Sequence, residues 1–177
     1  MNHPMNQKLL TWRDVDDLIE LLVPQLRTLA TFSAMVMITR GGVIPGGLLA
    51  EALGINYMLT AAVDFPSNTM ESNSLMAFPS FLQFPEASLL VGRKALIVDD
   101  VWGSGRTSIS VRERVIASGA TAYNCVLHYN PYRSLFTKAK PDFYGEATDA
   151  YIVYPWETDR GMYTVGAFDP QPMPESN

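Results

Sequence analysis

The segment with the most chemistry in it is ALIVDDVWGSGRTSISVRERV, residues 95 to 115. It reads as an apolar strand, two adjacent carboxylates, a turn holding Gly103 and Gly105, and a hydroxyl-rich helix start. On a strand, Asp99 and Asp100 point to opposite sides, and their oxygens can accept hydrogen bonds from vicinal sugar hydroxyls or hold a hard cation such as Mg²⁺. The glycines let backbone N–H groups converge on an anion. Ser104, Thr107 and the positive end of the helix dipole then complete a phosphate cradle. Sugar hydroxyls and a phosphate would be read side by side. Other phosphate motifs fit worse: GxxxxGK followed by Ser or Thr is absent, and a dinucleotide fingerprint begun at Gly103 would need a third glycine where Ser108 stands. An ordinary strand-ending turn is the plain alternative.

The elements that must position these residues can be followed along the chain. Thr11 with Asp14 forms a capping-box start, and Val15, Leu18, Ile19, Leu22 and Leu26 follow at helical spacing, with Pro24 expected to kink or end the helix. AMVMIT, 34 to 39, is a buried strand feeding the turn Arg40-Gly41-Gly42. PGGLLAEALG then predicts a short helix from Pro45 to a stop at Gly54. A second strand is expected at 57 to 63. Residues 64 to 88 hold three Pro, four Phe and no basic residue, and read as a long flexible connection, a lid or binding loop. Strand 94 to 98, helix 107 to 118 with Gly119 as its C′ residue, and strand 122 to 129 complete a βαβ unit. A last apolar run covers 151 to 154, and 169 to 177 reads as a disordered tail. Strands alternating with helices predict an α/β fold: an open, mainly parallel sheet flanked by helices, one domain over 1 to 177.

Composition narrows the function. With 47% hydrophobic and 18% charged residues the chain has the make-up of a globular protein. No apolar run is long enough to cross a bilayer and the first residues lack the apolar core of a secretory signal, so a cytoplasmic protein without a membrane partner is expected. The single Cys125 lies in an apolar stretch and excludes a disulfide framework. A net charge of −5 counts against a nucleic-acid partner. Between Arg40 and Arg93 there is no Lys or Arg at all, so a polyanionic ligand must be met by a few residues outside that gap, by backbone amides or by a metal ion. His128 sits in a strand and reads as a core or rim histidine before a catalytic base.

VDDVWGSGRT, 98 to 107, resembles the PRPP-binding signature of the type I phosphoribosyltransferases. MITRGGVIPGGLLAEALGI, 37 to 55, is similar to the pyrophosphate-loop segment of the xanthine-guanine and hypoxanthine members, and YIVYPWE, 151 to 157, to their base-binding end. The three occur in family order. The resemblance implies a hood built from the terminal segments, PRPP and a nucleobase as partners, Mg²⁺ as cofactor, and a homo-oligomer, in the first instance a dimer. It implies that Asp99 and Asp100 hold the ribose hydroxyls, that Gly103, Ser104, Gly105, Arg106 and Thr107 bind the 5′-phosphate, and that Thr39, Arg40, Gly41 and Gly42 hold the pyrophosphate in a loop that often carries a non-proline cis peptide. Tyr151 would stack on the base, the Ile152 backbone would read its edge, and Glu157 would join Asp99 and Asp100 near the metal. Arg40, Asp99 and Asp100 are the expected catalytic residues.

Two departures concern the base. Purine-specific members carry an Asp where this chain has Gly103, and a Lys contacting the purine 6-oxygen where this chain has Asn130 before Pro131. The sugar site matches while 6-oxopurine specificity does not follow. The expected function is PRPP-dependent phosphoribosyl transfer to a nitrogenous base, a purine by resemblance, with release of pyrophosphate, as in nucleotide salvage. The alternatives are a PRPP-sensing regulator, because SGRT also resembles the loop of the pyrimidine-operon attenuation regulator, and an inactive protein of the same fold.

Overall fold

Thr11 starts the first helix as the sequence requires. Its hydroxyl accepts from the Asp14 N–H while the Asp14 carboxylate accepts from the Thr11 N–H at 2.7 Å, a reciprocal cap that contributes about 1 kcal/mol. The computed structural model describes residues 6–65 and 78–158. Their elements are β1 (Gln7–Leu9), α1 (Trp12–Leu29), β2 (Ala34–Ile38), α2 (Val43–Leu53), β3 (Met58–Asp64), β4 (Ser80–Gln83), β5 (Lys94–Trp102), α3 (Arg106–Ala117), β6 (Thr121–Tyr129), β7 (Phe143–Ala147), β8 (Tyr151–Val153) and α4 (Pro155–Thr158).

Pro24 does not end α1. The helix runs five residues beyond it, because Pro24 and Glu20, whose carbonyl loses its usual donor, both lie on the exposed side where water can replace that bond. Val15, Ile19, Leu22 and Leu26 form the buried stripe.

Six strands make the main sheet in the order β4-β3-β2-β5-β6-β7, all parallel except the edge pair β3–β4. Parallel strands must be covered on both faces, and β2 and β5 are accordingly apolar throughout their middles. One face packs Met35, Met37, Leu96 and Val98 against α1 and α2; the other packs Val36, Ile97 and Ala122 against Val111 and Val115 of α3. Because β5 alternates, Asp100 continues the first face and Asp99 the second, as the period of two predicts.

The helix expected from Pro45 begins two residues earlier, with Gly42 as its N-cap, and ends at Gly54 in the left-handed conformation (φ 70°). Three further differences concern strands. β5, expected over 94 to 98, continues through both aspartates to Trp102. Within the stretch read as one irregular connection, Ser80–Gln83 forms β4 and Ala87–Leu89 a 3₁₀ turn, while 66 to 77 lie outside the described residues, as does the expected tail. β7 was not expected. Its FYGEA sequence has no apolar run, only Phe143 being buried, and its pairing with β6 places it in the sheet.

The terminal segments meet as a small two-stranded parallel sheet, β1 with β8, and α4 follows directly. Trp156 stacks on Tyr154 at 4.3 Å and tilts against Trp12, fastening α4 to the start of α1. This hood overlies the C-terminal end of β5, where the aspartates are. No helix of the described residues is long and apolar enough to cross a membrane.

Candidate active site

In an open parallel sheet the carboxyl ends of the strands are the natural ligand site, and the motif residues gather there. Three segments converge: the turn after β2, the β5–α3 turn, and the β8–α4 corner.

The turn after β2 carries Thr39, Arg40, Gly41 and Gly42, with a cis peptide between Thr39 and Arg40. Its glycines are required by close approach. A Cβ on Gly41 would fall on the Asp100 carboxylate, and one on Gly42 on the Val98 carbonyl oxygen. The loop therefore lies directly on the end of β5. Thr39 is anchored to β3, its N–H donating to the Ala61 carbonyl at 2.9 Å, whereas the Arg40 side chain is exposed.

At the end of β5, just before the β5–α3 turn, Asp99 accepts from the Asp100 N–H at 3.0 Å and Asp100 from the Val101 N–H at 2.7 Å. Burial raises the Asp99 carboxyl well above the usual range, and the neighbouring Asp100 charge adds to this. Burial also pushes Asp100 up, to about 6; its bond from the Val101 N–H opposes the rise and the Glu157 charge reinforces it. Both groups are short of positive charge. Gly105 (φ 81°) caps α3 without a side-chain bond, which leaves the first-turn N–H groups of α3 facing the turn. Gly105 is required twice over, because a Cβ there would sit 2.5 Å from the Trp102 indole nitrogen. Gly103, in contrast, has nothing within 4 Å of the place its Cβ would take. The Ser104 hydroxyl accepts weakly from the Arg106 N–H, and the Arg106 guanidinium lies over the Phe65 ring at 4.0 Å.

The third segment closes a cavity of about 160 Å³ lined by Asp100, Gly103, Asn130, Tyr151, Ile152 and Glu157, together with Val101, Arg133, Ala150 and Tyr154. Six residues expected at the site from sequence thus share one cavity. Asp99, Ser104 to Thr107 and Thr39 to Gly42 lie outside its lining, although Gly41 abuts Asp100. Glu157 also caps the corner, accepting from the Tyr154 N–H at 2.9 Å. Asn130 is buried, and its amide oxygen accepts from the N–H groups of Tyr132 and Arg133, both at 3.1 Å, so that oxygen holds a turn. Tyr151, expected to stack on the base, lines the cavity, whereas Trp156 packs the hood.

Arg93, a candidate cation from sequence, is at the wrong end. It precedes the first residue of β5 and donates to the carbonyls of Leu89 and Ser33, about 20 Å of strand from Asp100. Tyr154 and His128 were not foreseen as site neighbours. The Tyr154 hydroxyl donates to the Asp100 carbonyl and meets His128 Nδ1, each at 2.9 Å, a contact between β5, β6 and the hood that only the fold creates.

The family model described as the phosphoribosyl transferase domain matches residues 11–158, the span that contains all three segments. The chain belongs to this family. It is a phosphoribosyltransferase with an α/β fold shared by solved relatives. A purine phosphoribosyltransferase from Pyrococcus horikoshii Ot3 is 28% identical, with a TM-score of 0.71 over 86% of this chain and 94% of that one. The Helicobacter pylori xanthine-guanine-hypoxanthine phosphoribosyltransferase is 17% identical with a TM-score of 0.75, over 88% of this chain and 97% of that one. A hypothetical protein from Neisseria gonorrhoeae with bound ppGpp is 23% identical with a TM-score of 0.72, over 88% and 92%. At the last two identities the likeness is one of fold. As a phosphoribosyltransferase the chain uses PRPP and a base.

Proposed function

We propose that this phosphoribosyltransferase transfers the ribosyl 5-phosphate of PRPP to a purine in the cytoplasm, as a step of nucleotide salvage, at the cavity between β5 and the hood. The observation that carries the reading is the sharing of that cavity by Asp100, which belongs to the sugar motif, and by Tyr151 and Ile152, which belong to the base-binding end. The Pyrococcus relative named as a purine phosphoribosyltransferase supports it.

In this reading the 5′-phosphate is held by the first turn of α3 and the Ser104 and Thr107 hydroxyls, and the ribose hydroxyls by Asp99 and Asp100. The bond from C1 to the pyrophosphate oxygen breaks, its electron pair leaving with pyrophosphate, and a bond from a ring nitrogen of the base to C1 forms on the opposite face as that nitrogen gives up its proton to water. Arg40 stabilises the charge on the departing group, and Tyr151 stacks the base beside C1. Catalysis of this kind is positioning plus leaving-group stabilisation.

The carboxylates fit a role for Mg²⁺. Asp100 and Glu157 face one cavity, and the Glu157 charge disfavours that of Asp100. No group of three or more His, Cys, Asp or Glu that could hold a metal exists among the described residues, so most of the shell must come from ligand oxygens and water, as Mg²⁺ prefers. Such an ion supplies positive charge to the sugar and pyrophosphate oxygens.

The test is the purified protein with Mg²⁺ and PRPP against hypoxanthine, guanine, xanthine, adenine, uracil and orotate, following nucleotide and pyrophosphate. Turnover of one or more purines is expected; turnover confined to pyrimidines, or of no base, would overturn the purine reading. PRPP affinity should fall steeply in EDTA, and unchanged affinity there would remove the metal from the scheme.

A further inference from the structure

The arginines of the described residues divide by what they touch. Arg27 donates to the Ala52 carbonyl, Arg93 to those of Leu89 and Ser33, and Arg112 pairs with Asp142. Arg106 lies over Phe65, and Arg114 over Phe81 and Phe84. Arg13, Arg40 and Arg133 have no such side-chain partner among the described residues. Among the described residues, Arg133 is also the only basic one lining the cavity.

The backbone that carries Arg133 is held in place. The Asn130 N–H donates to the Trp102 carbonyl at 3.0 Å, the Asn130 side chain accepts from the Tyr132 and Arg133 N–H groups, and the Leu135 N–H donates to the Ser104 carbonyl at 3.0 Å. The Trp102 indole adds a longer bond to the Ser134 hydroxyl. Both ends of this turn are therefore tied to the β5–α3 segment, and an exposed, otherwise uncommitted guanidinium is kept at the cavity edge.

A guanidinium has five N–H donors and no acceptor, and it stays protonated throughout the working pH range. It can meet a carbonyl oxygen on a ligand's edge but gains nothing from an amino group. Asp100 and Glu157 supply the opposite charge elsewhere in the same cavity, so the cavity is polar in a defined sense. We propose that Arg133 is a specificity-determining residue that favours bases presenting an exocyclic carbonyl oxygen to it over bases presenting an amino group. The inference rests on the reading of this cavity as the base site. It also supplies the cation that the neutral Asn130 does not.

The experiment measures binding of inosine, guanosine and adenosine 5′-monophosphates and of ribose 5-phosphate by calorimetry, to the full chain and to Arg133→Ala and Arg133→Lys. The unsubstituted protein should prefer the inosine and guanosine nucleotides over the adenosine nucleotide by about tenfold, the low end for a hydrogen bond to a charged group because the guanidinium is exposed. Arg133→Ala should erase that preference and leave ribose 5-phosphate affinity unchanged, and Arg133→Lys should retain part of it. Equal losses for all four ligands would make Arg133 a phosphate ligand and overturn the proposal. So would an undiminished preference in Arg133→Ala. Because these are binding measurements, a protein that turned over no purine would defeat the proposed reaction while the nucleotide comparison still decided the role of Arg133.

Discussion

The two ends of β5 treat charge in opposite ways. At its start, Arg93 is consumed locally: it donates to two carbonyls and lies over the Tyr57 ring at 3.8 Å. At its far end, Asp99 and Asp100 accept from the backbone N–H groups of the next residues, and no cation neutralises them among the described residues. Burying carboxylates in that condition costs stability, which the raised pKa values express. A charge satisfied by its own protein is part of the scaffold, and a charge left unsatisfied at a strand end is kept for a ligand.

The largest effect expected from this contrast follows replacement of both aspartates. Asp99→Asn with Asp100→Asn should abolish PRPP binding, a loss of at least about 100-fold if each carboxylate forms one charge-assisted hydrogen bond to the sugar. The fold should persist, because the burial penalty on two charges is removed. Arg93→Ala should do the reverse, costing about 1 kcal/mol of stability and leaving PRPP affinity unchanged. Calorimetry and urea unfolding on the two variants decide the matter. A double Asn protein that bound PRPP normally would break the comparison.

Arg40 sharpens it, since it is an exposed arginine with a ligand role proposed and no side-chain partner among the described residues. Arg40→Ala should lower turnover by about 100-fold, the size of one lost donor to developing charge, while a nucleoside monophosphate, which has no pyrophosphate, binds nearly as before. Equal losses in turnover and product affinity would mark Arg40 as structural.

The contrast also explains what was legible in the sequence. The β5–α3 segment could be read because its chemistry is local: apolar strand, carboxylates, glycines and helix start follow in order along the chain. The α1 cap was legible for the same reason. β7 was not, since its FYGEA residues are only half buried and their strand state comes from pairing with β6. β4 is likewise made by its antiparallel pairing with β3. That α1 continues past Pro24 was not legible, because the cost of a proline depends on which side of the helix faces water. In sequence Arg93 was only a cation bordering a stretch without basic residues, and the fold put it at the start of β5 while setting Arg133 on the cavity. Tyr154 was seen as the end of an apolar run, with no signal that its hydroxyl would reach Asp100.

A smaller effect separates the two glycines of the motif. Gly103→Ala should fold and bind PRPP normally, because its Cβ enters open space. Gly105→Ala should cost roughly 1–3 kcal/mol, from the positive φ and from the clash with the buried Trp102 indole, and should weaken PRPP binding as the turn shifts. Thermal unfolding with and without PRPP measures both. Gly103→Asp tests the base end in the same way: the side chain has room, and by the family resemblance it should raise activity on 6-oxopurines. Equal tolerance at 103 and 105 would mean that the turn is not held as described.

The last prediction asks whether every unsatisfied polar atom at the ligand end of the sheet serves the ligand, and His128 is the counterexample. It is fully buried opposite Val101 on β6, its Nδ1 bonded to Tyr154, while Nε2 has no hydrogen-bond partner and lies 3.6 Å from the Glu146 carboxylate. Burial lowers its pKa to about 4, against the smaller opposing pull of Glu146, so the ring is neutral in the folded protein at neutral pH. The sign follows from proton counting. Between pH 6.5 and 4 the unfolded chain binds a proton at this site and the folded chain does not, so acidification favours unfolding and stability rises with pH across that window. From pH 7 down to pH 5 the loss should be roughly 2 kcal/mol for this group. Asp99 and Asp100, with raised pKa values, bind more protons folded than unfolded and act in the opposite direction, so the protein's total slope does not isolate His128. The difference between the parent and His128→Asn does, because Asn does not titrate and can still donate to the Tyr154 hydroxyl. Urea unfolding at the two pH values should show the parent losing about 2 kcal/mol more than the variant. Equal slopes would mean that His128 is charged in the folded protein, and that its buried Nε2 had found a partner in Glu146 after all.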